Sequence, residues 1–394
     1  MIPSYFEFHN PVKILSGEKA LENIPFELQS LNARSPIILT NAMLDEVGLL
    51  KLLTDAFSNS GIQPCAVYRD IPADSSIQAV NAAASVYREK KCDSIIALGG
   101  GSVIDTAKGL LILIANNSSD IMEFMGAETI KKGNKPPFIA IPTTAGTGSE
   151  ATLVAVIKDE QRHLKMEFIS YHLLPHAAVL DPRMTKTLPP RITASTGMDA
   201  LVHAVEAFTC VQKNPLSDAY AIASIRLVSK YLQEAIRNGS SVEARMGMAN
   251  AAMMAGAAFS NSMVGLVHAM GHALGGIAGV PHGDAMSILL PHCMRYNKAK
   301  LSASYGELLI HLAGADVYAR SKPEDRADVL IGFIEELQRI LLAEAKLPMK
   351  LRDAGVKKEV FSEVVKAAIN DGAILMNPVE ANAEDILGIL NAAY

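Results

Sequence analysis

The chain of 394 residues has no tryptophan, only 5% aromatic residues and four cysteines. Cys65, Cys92, Cys210 and Cys293 are widely spaced and form no Cys-x-x-Cys pair. They read as ordinary reduced core thiols of a cytoplasmic protein. A dominant charge is also lacking. The net charge is −5 at pH 7 and blocks of like charge stay short, so neither a nucleic-acid footprint nor a polybasic membrane tether is expected. Long uninterrupted apolar runs are missing too. The most apolar stretch, Ala251 to Ala278, is broken by Asn261, His268 and His272, whereas a membrane span needs about 20 residues with few polar groups. A buried helix pair is the better reading. The opening MIPSYFEFHNPVKIL lacks a charged segment followed by an apolar one, so no secretory signal is expected. There is no internal repeat. With 49% hydrophobic and 20% charged residues, the chain has enough apolar surface to bury cores and is not a disordered one.

The first half alternates short apolar runs with helical patterns. Pro36–Thr40, Cys65–Tyr68, Ser94–Leu98 and Phe138–Ile141 read as strands. Val47–Ser60, Ser76–Lys90 and Val103–Asn116 read as helices between them. Such alternation predicts a Rossmann-like, mostly parallel sheet wound on both faces. The pattern changes near Pro189-Pro190. From Ile192 onward the spacing predicts helices only, with breaks at Lys213-Asn214-Pro215, Asn238-Gly239-Ser240 and Gly279-Val280-Pro281. The expected organisation is an α/β domain over residues 1–188 and an all-helical domain over 189–394. A cleft between such halves is a favoured place for a ligand.

Gly99-Gly100-Gly101-Ser102 stands between a predicted strand and a predicted helix. Glycine lets backbone approach a ligand, and a helix N-terminus offers free N–H groups to a phosphate. A plain strand-to-helix turn is the alternative. The spacing departs from the common dinucleotide fingerprint, because Ile104 occupies the third small position and the loop follows the third strand, not the first. A second loop, Pro142-Thr143-Thr144-Ala145-Gly146-Thr147-Gly148-Ser149-Glu150, also follows a strand. Its hydroxyls suit an anionic or sugar-like ligand.

Asp199 and His203 lie four residues apart in a predicted helix, and His268 and His272 do so in a later one. Each pair therefore shares a helix face. His282 follows between Pro281 and Gly283. A lone histidine on an apolar face is usually a hydrogen-bonded core residue. Several together are costly to bury unless a divalent metal satisfies them jointly. One carboxylate and three imidazoles suit Fe²⁺ or Zn²⁺ with an open position. The absence of nearby cysteine argues against a structural zinc. His9, His163, His172, His176, His292 and His311 have no such pattern and read as surface or core histidines.

Taken together, Gly99–Lys108, Pro142–Glu150, Gly197–Glu206, Gly265–Gly275 and Pro281-His282-Gly283 resemble the iron-containing (group III) alcohol dehydrogenase family, along nearly the whole chain from Phe6. The resemblance implies that family's architecture, shared with dehydroquinate synthase, and a metal held by Asp199, His203, His268 and His282. It implies a proton relay at His272. It places the cofactor pyrophosphate on Gly99, Gly100, Gly101 and Ser102, and the adenosine and phosphate side on Thr143, Thr144 and Thr147. Asn41, Asp74, Lys165, Thr185 and Leu188 match further cofactor positions. It also implies a homodimer paired partly through an N-terminal strand near Tyr5–Phe8.

Two positions depart from common members. Asn41 stands where many relatives carry an aspartate, which would repel a 2′-phosphate, so NAD(H) and NADP(H) both stay open, with NAD favoured. Val154 stands where relatives specialised for polar diols have asparagine. With Phe259 it implies a less polar pocket for simple alcohols and aldehydes. The expected reaction is hydride transfer between nicotinamide and a small primary alcohol or aldehyde. The alternatives are a hydroxyacid–oxoacid transhydrogenase or a polyol dehydrogenase of the same superfamily, and a non-catalytic chain that has kept the fold.

Overall fold

The computed structural model describes residues 3–58, 60–127, 129–130, 133–160 and 164–394. The chain divides into two compact units. One comprises His9–Thr144 and Gly148–Thr187, the other Met1–Phe8, Ala145–Thr147 and Leu188–Tyr394.

The first unit contains, in chain order, β1 (Lys13–Ser16), α1 (Ile24–Ser30), β2 (Pro36–Leu39), α2 (Ala42–Glu46), α3 (Leu49–Asp55), β3 (Ala66–Tyr68), α4 (Ile77–Glu89), β4 (Ser94–Gly99), α5 (Gly101–Ala115), β5 (Gly126–Ala127), β6 (Phe138–Pro142), β7 (Val154–Asp159), β8 (Leu164–Ile169) and β9 (Ala177–Leu180). Six strands form a sheet in the order β1-β9-β6-β4-β2-β3. Every pair in it is parallel. β2, β4, β6 and β9 are buried along their whole length, as expected of a parallel sheet covered on both faces. Separate apolar clusters pack on the sheet. One gathers Val80, Ala84, Val103, Ile104 and Leu111 from α4 and α5, and the other Leu21, Leu28, Leu50 and Leu53. A smaller sheet, β5-β8-β7, carries one antiparallel pair, β7 with β8.

The expected helix over Val47–Ser60 is shorter and preceded by α2. Gly48 adopts φ 83° between the two, a left-handed turn that ends one helix and starts the next. One expectation is overturned. Cys65 and Cys92 are not reduced thiols but a disulfide, with Cα atoms 5.9 Å apart. β3 and β4 both pair with β2, so the residues just before them meet at one end of the sheet although 27 positions apart. Cys210 and Cys293 are free and buried.

The second unit is helical: α6 (Pro190–Thr209), α7 (Pro215–Arg237), α8 (Val242–Phe259), α9 (Leu266–Ala278), α10 (His282–Leu312), α11 (Ala315–Arg320), α12 (Arg326–Ala345), α13 (Phe361–Ile369) and α14 (Ala383–Ala392). Polar caps mark the predicted breaks. Asn214 caps α7 through Leu216 N and Ser217 N, and Ser241 caps α8 through Ala244 N, each satisfying donors that the first turn leaves unpaired. Gly279, at φ 67°, closes α9. The apolar stretch from Ala251 thus becomes the end of α8 and all of α9. Among the described residues no helix is long and apolar enough to cross a membrane. Residues 3–8 form no strand within the chain; the strand expected near Tyr5–Phe8 is one that pairs with a second subunit. Tyr5 is exposed, and Phe8 stacks on Tyr220 at 5.6 Å.

Candidate metal centre and cofactor loops

α6 is buried along nearly its whole length. Alanine, leucine and valine supply its apolar faces, and Asp199 and His203 project from it one turn apart. His268 comes from the first turn of α9 and His282 opens α10. Ligand atoms from these four side chains all lie within 4.8 Å of one another. Asp199 Oδ1 approaches His282 Nε2 at 3.3 Å and His203 Nδ1 at 3.6 Å. The rings of His203 and His268 are 4.5 Å apart, and Phe259 stacks on His203 at 4.5 Å.

Asp199 Oδ1, His203 Nδ1 and His268 Nε2 are buried and make no hydrogen bond. Buried polar atoms are normally satisfied, and three orphans converging on one point fit a divalent cation. Burial pushes the Asp199 carboxyl up, but the imidazoles of His203, His282 and His268 outweigh it and hold it well below the usual range. Burial, with the neighbouring imidazoles, pushes His203 down to about 3 and His268 well below its ordinary value. A carboxylate beside neutral imidazoles is the protonation state a metal requires.

Two carboxylates outside this set hold the ligands. Asp284 accepts from Arg191 through both guanidinium nitrogens, and from Ser195 Oγ at 2.8 Å. Arg191 and Ser195 belong to α6, so the start of α10, and His282 with it, is tied to the helix that bears Asp199. Gly283 permits the approach, since a Cβ there would lie 2.3 Å from Ser195 O. Glu206 is the other, with Oε2 2.6 Å from His268 Nδ1. Burial raises its carboxyl to about 7, against the backbone N–H groups of Gly265 and Val267. His272, the expected relay, has Nδ1 2.9 Å from Asp371 Oδ2. Burial would raise Asp371, but the bond to His272 holds it below its ordinary value. The sequence pattern missed Asp284, Asp371 and a role for Glu206; Asp284 and Glu206 stood out only as carboxylates among buried helical residues, and Asp371, in the bend after α13, gave no signal. Among the described residues, none of the other histidines joins the four, and His163 lies outside the described residues.

In the sheet unit the glycine loop follows β4 and opens α5, with Gly100 as its N-cap. A Cβ on Gly100 would meet Thr144 Oγ1 at 3.2 Å, so the two loops are in close apposition. Thr143 N donates to Gly99 O at 3.1 Å, and Ser102 Oγ donates to Ala73 O. The second loop is braced from beneath by Lys108, fully buried on α5. Its Nζ donates to Ser149 Oγ (2.9 Å), Thr152 Oγ1 (2.8 Å) and Val154 O (2.6 Å). Asp105 accepts from Ser149 Oγ at 2.7 Å and Val156 N at 3.1 Å. Burial pulls Lys108 down to about 8, with Asp105 and Glu150 opposing, and burial pushes Asp105 up despite Lys108. Lys165 Nζ pairs with Asp74 Oδ1 at 3.0 Å, so these two expected cofactor positions meet. Asn41 caps α2 through Leu44 N at 3.0 Å. Thr185 Oγ1 bonds locally to Pro182 O at 3.3 Å. Leu188 O accepts from Arg245 at 3.1 Å in the helical unit, to which Thr147 also belongs. Val154 lies half-buried at the start of β7.

A family model described as iron-containing alcohol dehydrogenase matches residues 11–182, and one described as the C-terminal part of the Fe-containing alcohol dehydrogenase family matches residues 193–394. Alcohol dehydrogenase 4 of Schizosaccharomyces pombe is 35% identical over 390 residues, covering 98% of this chain and 88% of that protein. The NAD-dependent methanol dehydrogenase of Bacillus methanolicus is 34% identical over 389 residues, covering 98% and 99%. Among solved structures, a 1,3-propanediol oxidoreductase superposes with a TM-score of 0.94 at 32% identity, covering 99% of this chain and 100% of that one.

Proposed function

The chain belongs to the iron-containing alcohol dehydrogenase family and is an oxidoreductase acting on alcohols with a nicotinamide cofactor; on that premise we propose which residues carry the reaction and what they act on. Asp199, His203, His268 and His282 hold a divalent cation, Fe²⁺ or Zn²⁺. The observation that carries this is the three buried, unsatisfied ligand atoms converging with His282. When bound, the cation supplies Lewis-acid polarisation of a substrate oxygen, and the nicotinamide accepts or returns the hydride. Gly99, Gly100, Gly101 and Ser102 present the N-terminus of α5 to the pyrophosphate. Thr143, Thr144 and Thr147 line the phosphate and adenosine side. Asn41, Asp74, Lys165, Thr185 and Leu188 complete the cofactor contacts, with NAD(H) preferred over NADP(H).

The protein's own chemistry is proton handling. Asp371 holds His272 through Nδ1, so Nε2 is the nitrogen that takes up the alcohol proton in oxidation and returns it in aldehyde reduction. Val154 at the start of β7 and Phe259, stacked on His203, are each apolar, which favours small primary alcohols and aldehydes over polar diols. The nucleotide domain expected over residues 1–188 and the metal domain expected over 189–394 correspond to the two units, except that residues 3–8, Ala145–Thr147 and Leu188 group with the helical one; the active form is a homodimer.

Anaerobic purification with metal analysis, followed by NADH and NADPH oxidation on a panel of aldehydes, tests this. About one metal per chain, aldehyde-dependent oxidation and loss of metal in His203→Ala are expected. A metal-loaded protein inert with every aldehyde and both cofactors would overturn the substrate class.

A further inference from the structure

We propose that Glu206 is a positioning residue for the metal centre, fixing the proton of His268 on Nδ1 so that Nε2 faces the cation bare. The inference rests on reading Asp199, His203, His268 and His282 as the metal site.

Asp199, His203 and Glu206 follow at i, i+4 and i+7 on α6 and share one helix face. Glu206 is 5% exposed and sits in the apolar core of the helical unit. A carboxylate there needs a reason, because burying one costs far more than burying an amide. Its two oxygens have separate partners. Oε1 accepts from Val267 N at 2.7 Å, in the first turn of α9, and Oε2 faces His268 Nδ1 at 2.6 Å. The neighbouring donor, Leu266 N, turns instead to Asn377 Oδ1 at 3.4 Å, and Asn377 is itself locked to Asn297 by a reciprocal pair at 2.9 Å. The first turn of α9 is thus held by two side chains, and only one of them touches a metal ligand.

The logic is one of donors and acceptors. An ionised carboxylate only accepts, and a neutral imidazole carries one N–H. Glu206 therefore draws that proton to Nδ1. His268 Nε2 is a buried atom without a hydrogen-bond partner, and with the proton on Nδ1 it carries the lone pair that faces the cation. The same contact sets the ring plane, since Val267 N and His268 Nδ1 are gripped by one rigid group. Partners of this kind outside the coordination sphere typically cost 10–100-fold in metal affinity when removed.

Glu206→Gln tests the idea because it keeps the shape. A carboxamide has one accepting oxygen and one donating nitrogen. Val267 N–H is a backbone donor and cannot invert its role, so it takes the oxygen. The amide nitrogen then faces His268 Nδ1, which must become an acceptor, and the proton moves to Nε2. Two measurements at pH 8 follow. In metal-free protein labelled with ¹⁵N-histidine, with His268 assigned by comparison with His268→Gln, the wild type should show the Nδ1–H tautomer and Glu206→Gln the Nε2–H tautomer. In chelator competition with Zn²⁺ and Co²⁺, Glu206→Gln should bind 10–100-fold more weakly. An Nε2–H tautomer in the wild type would overturn the proposal even if the variant failed to fold. So would unchanged tautomer and affinity in a folded Glu206→Gln. If wild type and His203→Ala bind Zn²⁺ equally, the metal-site reading itself has failed, and that outcome is separate from the other two.

Discussion

Lys108→Met removes one ammonium from beneath the loop that ends at Val154. Lys108 has no exposed surface and donates three hydrogen bonds, all to Ser149, Thr152 and Val154. Bonds from a charged donor contribute about 1.5–3 kcal/mol each. Against them stands the lysine's own dehydration. Its pKa falls from 10.5 to about 8, equivalent to about 3 kcal/mol. The balance favours the lysine by about 1.5–6 kcal/mol, whose middle, about 3–4 kcal/mol, is the cost of removing one partner of a buried charge pair, because Asp105, 3.9 Å from Nζ, stays behind without its cation. Scanning calorimetry at fixed rate should show a midpoint lower by roughly 10 °C. Adding Asp105→Asn should restore at least about 1 kcal/mol by removing the stranded charge. The pH dependence carries a sign. Between about 8 and 10.5 the unfolded chain binds a proton at this lysine that the folded chain does not, so stability rises with pH there. The cost of burying the ammonium is fully present below about pH 8 and is relieved above it. The gap between wild type and variant should therefore widen from pH 8 to 10. A Lys108→Met protein within about 1 kcal/mol of wild type, with a gap that ignores pH, would refute the reasoning.

Asn41→Asp keeps the cap on Leu44 N, since aspartate caps as well as asparagine, so the fold should be unaffected. A new charge near a 2′-phosphate repels it by about 3 kcal/mol at ~5 Å and an effective dielectric of 20. The NADPH-to-NADH ratio of kcat/KM should fall at least tenfold, and an unchanged ratio would remove Asn41 from the ribose site. Gly283→Ala puts a Cβ 2.3 Å from Ser195 O. Relief requires the start of α10 to move away from α6, carrying His282 with it. Overpacking of this sort costs about 1–3 kcal/mol, and Zn²⁺ affinity in chelator competition should drop at least tenfold. Wild-type affinity in this variant would show that His282 does not depend on the clamp.

How much of this was legible in the sequence depends on whether a residue's surroundings are local. β2, β4 and β6 were legible because strands buried on both faces are apolar throughout. β7 and β8 were not, since Lys158, Lys165 and Glu167 break their pattern and only their mutual pairing makes them strands. β9, Ala177–Leu180, is too short and alanine-rich to separate from a helix turn. The Cys65–Cys92 bond depends on strand order, which spacing does not encode. The metal ligands stood out because polar residues at i, i+4 on apolar helices are costly to bury unless something satisfies them. The same rule should have exposed Glu206, three residues beyond His203. Its partner is the first turn of α9, however, and nothing in α6 says that α9 starts there. Lys108 is the sharper case. A lysine on a helix ordinarily keeps its ammonium in water, and α5 alone gives no reason to think otherwise. The reason lies 41 to 46 residues later, in two hydroxyls and a carbonyl that only the folded loop gathers. Side chains that meet a ligand announce themselves by type and spacing, whereas those that hold such side chains in place are defined by partners far away in the chain.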